Sequence, residues 1–282
     1  MFQKLSNSWE LVKASAHVLR SDKELLIFPI LSTTGVIIAT AIFIFPFLVS
    51  NLADTLFSEQ SQVFGTLIAF LYYIVQYTII FFANTALVGA AMIRLRGGDP
   101  TVEDGLRIAT KNFGSILGYA LIAATVGMLL RWVSERSKGL GRFVISLIGM
   151  AWNIGTYLVV PILAVEGVGP IEAIKGSVNY LKKTWGEQIA GNMGIGAVTG
   201  LAFLIVTLIG GGFIGLVFVL ELPLFFAIAA GALLVLALVF LGLISSALSG
   251  IYTAAVYQYA ATGETGQFFE TEIIKNALKI KA

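Results

Sequence analysis

Few residues in this 282-residue chain could carry out chemistry. His17 is the sole histidine and cysteine is absent, so a catalytic zinc site or a thiol nucleophile lacks the side chains to build it. A serine nucleophile needs a neighbouring base, and no charged residue or histidine falls deep inside an apolar stretch. We interpret His17 as an interfacial side chain, and we predict a protein that is not an enzyme and has no cofactor or metal.

Basic side chains between positions 131 and 142 could bind anionic ligands. They are Arg131, Arg136, Lys138 and Arg142, and they lie between two long apolar stretches. Guanidinium and ammonium groups at a membrane boundary attract phosphate-bearing lipids. We therefore predict that these four residues contact lipid headgroups.

Carboxamide side chains inside the apolar stretches form a second group of candidates: Gln76, Asn84, Asn153 and Asn192. Two interpretations remain open for them. They hydrogen-bond between neighbouring helices, at about 0.6 kcal/mol each on average, or they line a cavity between bent helices.

Glycine is frequent in the apolar stretches, with 30 in the chain. Glycines spaced four residues apart let membrane helices approach closely. We predict helix packing at Gly114, Gly118, Gly191, Gly194, Gly196 and Gly200, either within one subunit or between subunits.

The elements that position these residues follow from composition. Apolar residues make up 57% of the chain, charged residues 12%, and the mean hydropathy is +0.90, whereas soluble domains have about 45–50% and about 25%. About 20 apolar residues cross a bilayer as a helix. The sequence predicts an all-α polytopic membrane helix bundle in one domain over 1–282, with spans at about 25–50, 63–93, 113–131, 143–165, 187–210 and 229–261.

Two of these boundaries depend on helix breakers. Gly210-Gly211-Gly212 and Glu221-Leu222-Pro223 should interrupt any helix, so we expect 210–228 to be an apolar connection dipping into the membrane. The stretches at 63–93 and 229–261 exceed one bilayer thickness. They must tilt or project beyond it.

Amphipathic surface helices are predicted at 2–20, after Thr101, at about 170–185 and in a tail at 267–281. Ser21 and Glu24 fit a capping box, and Thr101 fits an N-cap. Each surface helix has an acid, a base three residues on and a small residue two further on: Glu10-Lys13-Ser15, Asp104-Arg107-Ala109, Glu172-Lys175-Ser177 and Glu272-Lys275-Ala277. Either a surface helix and hairpin are repeated three times, or such pairs arise on any interfacial helix.

The distribution of basic residues predicts orientation. All of the 18 basic residues except the four at 131–142 fall on one side of the predicted spans, which places both termini in the cytoplasm. The four exceptions would lie outside. Either they bind anionic headgroups there, as we favour, or the third and fourth spans are wrong.

Five motifs along the chain carry a family resemblance. They are Ser-Trp-Glu-Leu-Val-Lys at 8–13, Lys-Glu-Leu-Leu-Ile-Phe-Pro at 23–29, Ala-Asn-Thr-Ala-Leu-Val at 83–88 through Gly-Asp-Pro-Thr at 98–101, Val-Pro at 160–161 through Glu-Ala at 172–173, and Tyr-Gln-Tyr-Ala at 257–260 with Gly263. Together they resemble an uncharacterised prokaryotic family of polytopic membrane proteins, a domain of unknown function. They are similar, more loosely, to the membrane domain of some glycerophosphodiester phosphodiesterases. The resemblance implies about six spans in the plasma (inner) membrane and supplies no catalytic residues.

Two functions are consistent with these residues. The first is a non-enzymatic membrane scaffold or assembly partner, favoured by the surface helices on one side and by loops too short to fold alone. The second is binding or translocation of a lipid or another amphiphile, favoured by proline-bent helices and by the basic cluster. The expected partners are membrane lipids and either a second copy or another membrane protein. Nucleic acid is excluded, because the net charge is only +2.

Overall fold

The computed structural model describes residues 2–49, 62–184, 192–264 and 268–269, and within these ranges the chain is helical with no strand. A 3₁₀ turn at Lys23–Leu26 joins the first two helices. The helices are α1 (Phe2–Ser21), α2 (Ile27–Val49), α3 (Gln62–Leu95), α4 (Val102–Lys111), α5 (Phe113–Arg136), α6 (Leu140–Gly155), α7 (Val159–Glu166), α8 (Pro170–Thr184), α9 (Asn192–Val219) and α10 (Leu224–Thr262).

Six of the described segments are long and apolar enough to cross a membrane, which confirms the all-α polytopic bundle. Five of them correspond to all or most of α2, α3, α5, α9 and α10. The sixth covers α6 and α7 together, over Leu140–Glu166. The chain is therefore a multi-pass membrane protein. The surface helix predicted at 2–20 is present as α1, while the tail predicted at 267–281 lies outside the described residues except for 268–269.

The two longest helices divide into an exposed half and a buried half. α3 has 34 residues, or about 50 Å at about 1.5 Å per residue, against about 30 Å of hydrocarbon. Its residues at 63–82 are mostly exposed or half-buried, whereas those at 83–95 are mostly buried; α10 is likewise buried mainly over 247–258. The buried halves pack with α1, the 3₁₀ turn, α4, α7 and α8. We call this assembly the packed layer.

The packed layer explains the excess length of α3 and α10. About 20 residues of each lie in the exposed half, enough for one bilayer crossing. The remainder contributes to a core of fully buried side chains, among them Leu87, Leu158 and Ile251. This division fits the second of the two expected arrangements, in which the long helices project beyond the hydrocarbon, and that arrangement stays a prediction.

The connection predicted at 210–228 is wrong. α9 continues through Gly210, Gly211 and Gly212 to Val219, and the turn is confined to 220–223, where Glu221 has a φ of 49°. Glycine costs about 1 kcal/mol in a helix, but an unpaired backbone group in hydrocarbon costs several kcal/mol. The helix therefore persists, and the sixth span begins at Leu224 and not at 229.

The fourth predicted span is interrupted near Pro161. Proline lacks an N–H and its ring clashes with the carbonyl four residues earlier, here Tyr157, and the helix breaks at 156–158 between α6 and α7. The freed Leu158 N–H donates to Ser177 Oγ of α8 at 3.0 Å in a buried position. The break thus gives α8 its attachment point.

Removing this hydroxyl should destabilise the protein. Ser177→Ala leaves the buried Leu158 N–H without an acceptor, and we expect a loss of about 1–3 kcal/mol in the free energy of unfolding, measured by denaturation in detergent. Ser15→Ala is the matched control, because Ser15 Oγ is equally buried but has no partner among the described residues. An equal loss in both variants would contradict the assignment.

The surface helices pack on the core through small residues as well as large apolar ones. Ser15, Ala109 and Ser177 are fully buried, and Val12 and Leu181 are buried with them. Trp9 on α1 and Ile171 on α8 are instead 51% and 56% exposed. Small side chains let a helix backbone approach the core closely, and part of each apolar face remains outside the core.

Candidate functional site

The start of α4 is fastened to the 3₁₀ turn that precedes α2. Thr101 caps α4 in a capping box with Asp104, and these hydrogen bonds lower the pKa of Asp104. The Val102 N–H donates to a carboxylate oxygen of Glu24 at 3.2 Å. The capping box predicted for Ser21 is wrong, because the Ser21 hydroxyl donates to the His17 carbonyl and Glu24 serves α4. Thr101 as N-cap is confirmed.

An ion pair holds the end of α3 to the α1–α2 connection. Arg94 Nε donates to Asp22 Oδ2 at 3.3 Å, and a second guanidinium nitrogen pairs with Asp99. The Asp22 side chain is only 5% exposed. Burial raises the pKa of Asp22, although the hydrogen bond and charge of Arg94 oppose the shift. Sequence reasoning missed this pair, because 72 positions separate its members.

A shared carboxylate joins three other helices of the packed layer. Glu166 Oε1, at the end of α7, accepts hydrogen bonds of 2.9 Å from the hydroxyls of Tyr180 and Tyr257. Tyr180 belongs to α8 and Tyr257 to α10. Burial, with the neighbouring Glu166 charge, raises the pKa of Tyr180. We call the Asp22–Arg94 ion pair and the Glu166–Tyr180–Tyr257 cluster the polar clamps of the packed layer.

The outer surface of the packed layer is charged. The acid and base of the repeated motif are exposed at Glu10, Lys13, Glu172 and Lys175, while the small residue of each described motif points inward. The fourth motif, Glu272-Lys275-Ala277, lies outside the described residues. The motif thus identifies which face of each surface helix packs on the core. α1, α4 and α8 together give a rigid surface with mixed charge.

The basic cluster surrounds the turn between α5 and α6, with Arg131 and Arg136 on α5, Lys138 in the turn and Arg142 on α6. Arg131 donates to Glu135 at 2.9 Å and to the Tyr73 hydroxyl of α3 at 3.0 Å, and Arg136 lies 4.0 Å from the centre of the Trp132 ring. Lys138 and Arg142 are exposed and pair with no described residue. The turn therefore has two anchored and two available cations.

The predicted amides have different environments. Gln76 is buried, and its Nε2 donates to Thr40 Oγ1 of α2 at 2.8 Å, so it does bond between helices. Asn84 is half-buried. Asn153 is exposed, so its predicted burial is wrong, because no described helix covers that face of α6. The Asn192 side chain lies outside the described part of the chain.

Of the four predicted glycines whose surroundings the structure describes, three make no close contact within the chain. At Gly114, Gly196 and Gly200 an added Cβ would meet no described atom within 4 Å, whereas a Cβ added at Gly118 would lie 3.0 Å from Pro170. Gly191 and the surroundings of Gly194 lie outside the described residues. The close contacts of the packed layer are at glycines without the four-residue spacing: Gly89 against Ile108, Gly105 against Phe28, and Gly250 against Leu87.

Comparison with known proteins places the chain in a family. A sequence profile described as "Family of unknown function (DUF6159)" matches residues 63–268, from α3 to beyond α10. No curated protein and no solved structure matches. The resemblance to an uncharacterised family is confirmed, and nothing found supports the looser similarity to glycerophosphodiester phosphodiesterase membrane domains.

Proposed function

The chain belongs to this family of unknown function, so its role has to come from its own residues, and we propose that it is a non-enzymatic scaffold for membrane protein assembly. We place it in the inner membrane of a prokaryotic cell with both termini and the packed layer in the cytoplasm. The positive-inside rule supports this orientation, because Arg94, Arg96, Arg107 and Lys111 lie on that side.

The packed layer is the observation that carries the proposal. The hydrophobic core lies mainly in the packed layer, whose helices also present the charged outer surface. The exposed parts of α2, α3, α9 and α10 have no ionised side chain in the middle of their apolar stretches. Ion and proton pathways through membranes usually need such groups. Rigid packing on one side with a charged outer surface suits docking of another protein.

Photo-crosslinking in living cells tests the scaffold proposal. We replace either Glu103 on α4 or Lys175 on α8 by a crosslinking amino acid, since both side chains are exposed on the packed layer. Each position should give a discrete adduct, and the crosslinked partner should have the same mass at both positions. The same replacement at Ile38, exposed on α2, should give none. Absence of an adduct at both packed-layer positions would refute the proposal.

The turn between α5 and α6 favours a second function, binding of anionic lipid. Lys138 and Arg142 are available cations beside the exposed apolar residues Leu140 and Phe143, a pattern suited to a headgroup layer.

Charge reversal at the turn tests this function. The Lys138→Glu, Arg142→Glu double variant should bind phosphatidylglycerol at the turn about 30-fold more weakly, since each cation contributes about 1 kcal/mol. Titration of the detergent-solubilised protein measures the affinity. Lys175→Glu with Lys182→Glu, on the packed-layer side, should leave that binding unchanged. Equal weakening in both double variants would show that phosphatidylglycerol responds to the overall charge of the protein, and it would exclude a specific site at the turn.

A further inference from the structure

An apolar pit opens on the side of the bundle, where the exposed halves of α2 and α3 meet the packed layer. Its volume is about 260 Å³. Phe28 and Leu31 of α2 form one wall, and Thr78 and Ile79 form part of the α3 wall. The Thr78 hydroxyl donates to the Ile74 carbonyl at 2.7 Å, so the lining has no free hydrogen-bond donor for a water-soluble ligand.

The pit is closed on the packed-layer side. Leu106 of α4 and Phe113 at the start of α5 complete the lining there. α4 is held in place by Gly105 against Phe28 and by the Glu24 hydrogen bond to Val102. Leu31 and Phe113 are each 45% exposed at the rim. Both belong to segments that are apolar and long enough to cross a membrane, so the opening would face the hydrocarbon in a bilayer.

The dimensions exclude a second membrane helix as the occupant. The α3 wall extends from Thr78 to Ala83, or about 7.5 Å at about 1.5 Å per residue. A docked helix makes contacts over several turns, and Leu106 and Phe113 close this pit on one side. A flexible hydrocarbon chain can end inside such a short pit.

The charges beside the closed end are suited to a phosphate. Lys111 ends α4 two residues before Phe113, is exposed, and makes no ion pair with any described residue. Arg107, beside Leu106, is already paired with Glu103 and Asp104. Lys111 is therefore the available cation where a headgroup would lie if its chain entered the pit.

We propose that the pit binds one acyl chain of a phospholipid from the leaflet next to the packed layer, with the lipid phosphate at Lys111. The site is at the opposite end of α5 from the basic turn and depends on neither proposed function.

Native mass spectrometry of the full-length protein in detergent tests the site, with phosphatidylglycerol as the probe. Leu31→Trp and Thr78→Phe both fill the pit, and we expect each to lower retention of one tightly held lipid by at least about tenfold. Ile38→Trp is the matched control on α2, because Ile38 is exposed outside the pit. It should retain the lipid, as should the Lys138→Glu, Arg142→Glu variant. Thermal unfolding verifies that each variant is folded, and having two pit-filling variants covers the failure of either.

Other outcomes would overturn the proposal. Retention at the level of the unsubstituted protein in the folded Leu31→Trp or Thr78→Phe variant would show that the lipid lies elsewhere. Lys111→Glu should weaken phosphatidylglycerol binding without changing retention of an uncharged diacylglycerol. Binding of a free fatty acid with no binding of phosphatidylglycerol would contradict a phospholipid occupant.

Discussion

Replacing Arg94 by methionine should lower the free energy of unfolding by about 3–5 kcal/mol, the loss typical when one partner of a buried ion pair is removed. Asp22, whose side chain is 5% exposed, would keep a buried charge with no cation to compensate it. Methionine retains most of the aliphatic volume, so the loss reports the charge. Equilibrium denaturation in detergent measures it.

The control for this variant is two residues away. Arg96 is exposed and makes no ion pair with a described residue, so Arg96→Met should change stability by no more than about 0.5 kcal/mol. Asp22→Asn should also cost less than Arg94→Met, because it removes the buried carboxylate and leaves Arg94 paired with Asp99. Equal losses for Arg94→Met and Arg96→Met would contradict the clamp.

The pH dependence of the Arg94→Met variant has a defined sign. The folded pKa of Asp22 already lies above the ordinary 3.8, and loss of Arg94 should raise it further. A raised folded pKa means that folding favours the protonated carboxyl, so this contribution is complete below about 3.8 and is lost as pH rises through the folded pKa. The stability deficit of the variant should therefore shrink in acid, and Asp22→Asn should abolish that recovery.

Gly105→Ala should cost about 3 kcal/mol, near the upper end for an overpacked core. The new Cβ would lie 2.7 Å from the backbone carbonyl oxygen of Ala86 and would overlap the Phe28 ring. The Ala86 oxygen belongs to the backbone of α3, so it cannot turn away as the end of a flexible side chain could. The expected result is a lower unfolding midpoint and weaker attachment of α4, measured by denaturation and by proteolysis of the 96–101 loop.

A glycine without neighbours provides the matched control. Gly200 lies inside α9, and an added Cβ would meet no atom within 4 Å. Gly200→Ala should therefore stabilise the protein by about 0.5–1 kcal/mol, because alanine loses less backbone entropy in a helix. Destabilisation by Gly200→Ala in a monomer would show that the surroundings of α9 are more crowded than described.

The sequence alone determined the class of the protein and the existence of its elements. Six apolar stretches can only cross a bilayer as helices, since every backbone group must be paired within its own segment. The surface helices α1, α4 and α8 and the Thr101 cap also follow from local residue types. The predicted start of α4 is correct, because Gly97, Gly98 and Pro100 end the preceding helix and Thr101 caps the next one.

The tertiary structure decided which faces and which residues meet. Helical periodicity identifies an apolar face but cannot distinguish a face that contacts lipid from one that contacts protein. Trp9 and Ile171 are exposed, whereas the small residues Ser15 and Ser177 are buried. Likewise, Gly105 and Gly250 carry the close contacts expected at Gly114 and Gly200.

The polar clamps depend on contacts between distant parts of the chain. Asp22 meets Arg94, and Glu166 meets Tyr257, only after α1, α3, α7 and α10 have packed together. Local sequence sets the backbone conformation of each helix, because its hydrogen bonds join residues four apart. The pairing of faces depends on the shape of the whole core, so the packed layer, the pit and their charges became visible only in three dimensions.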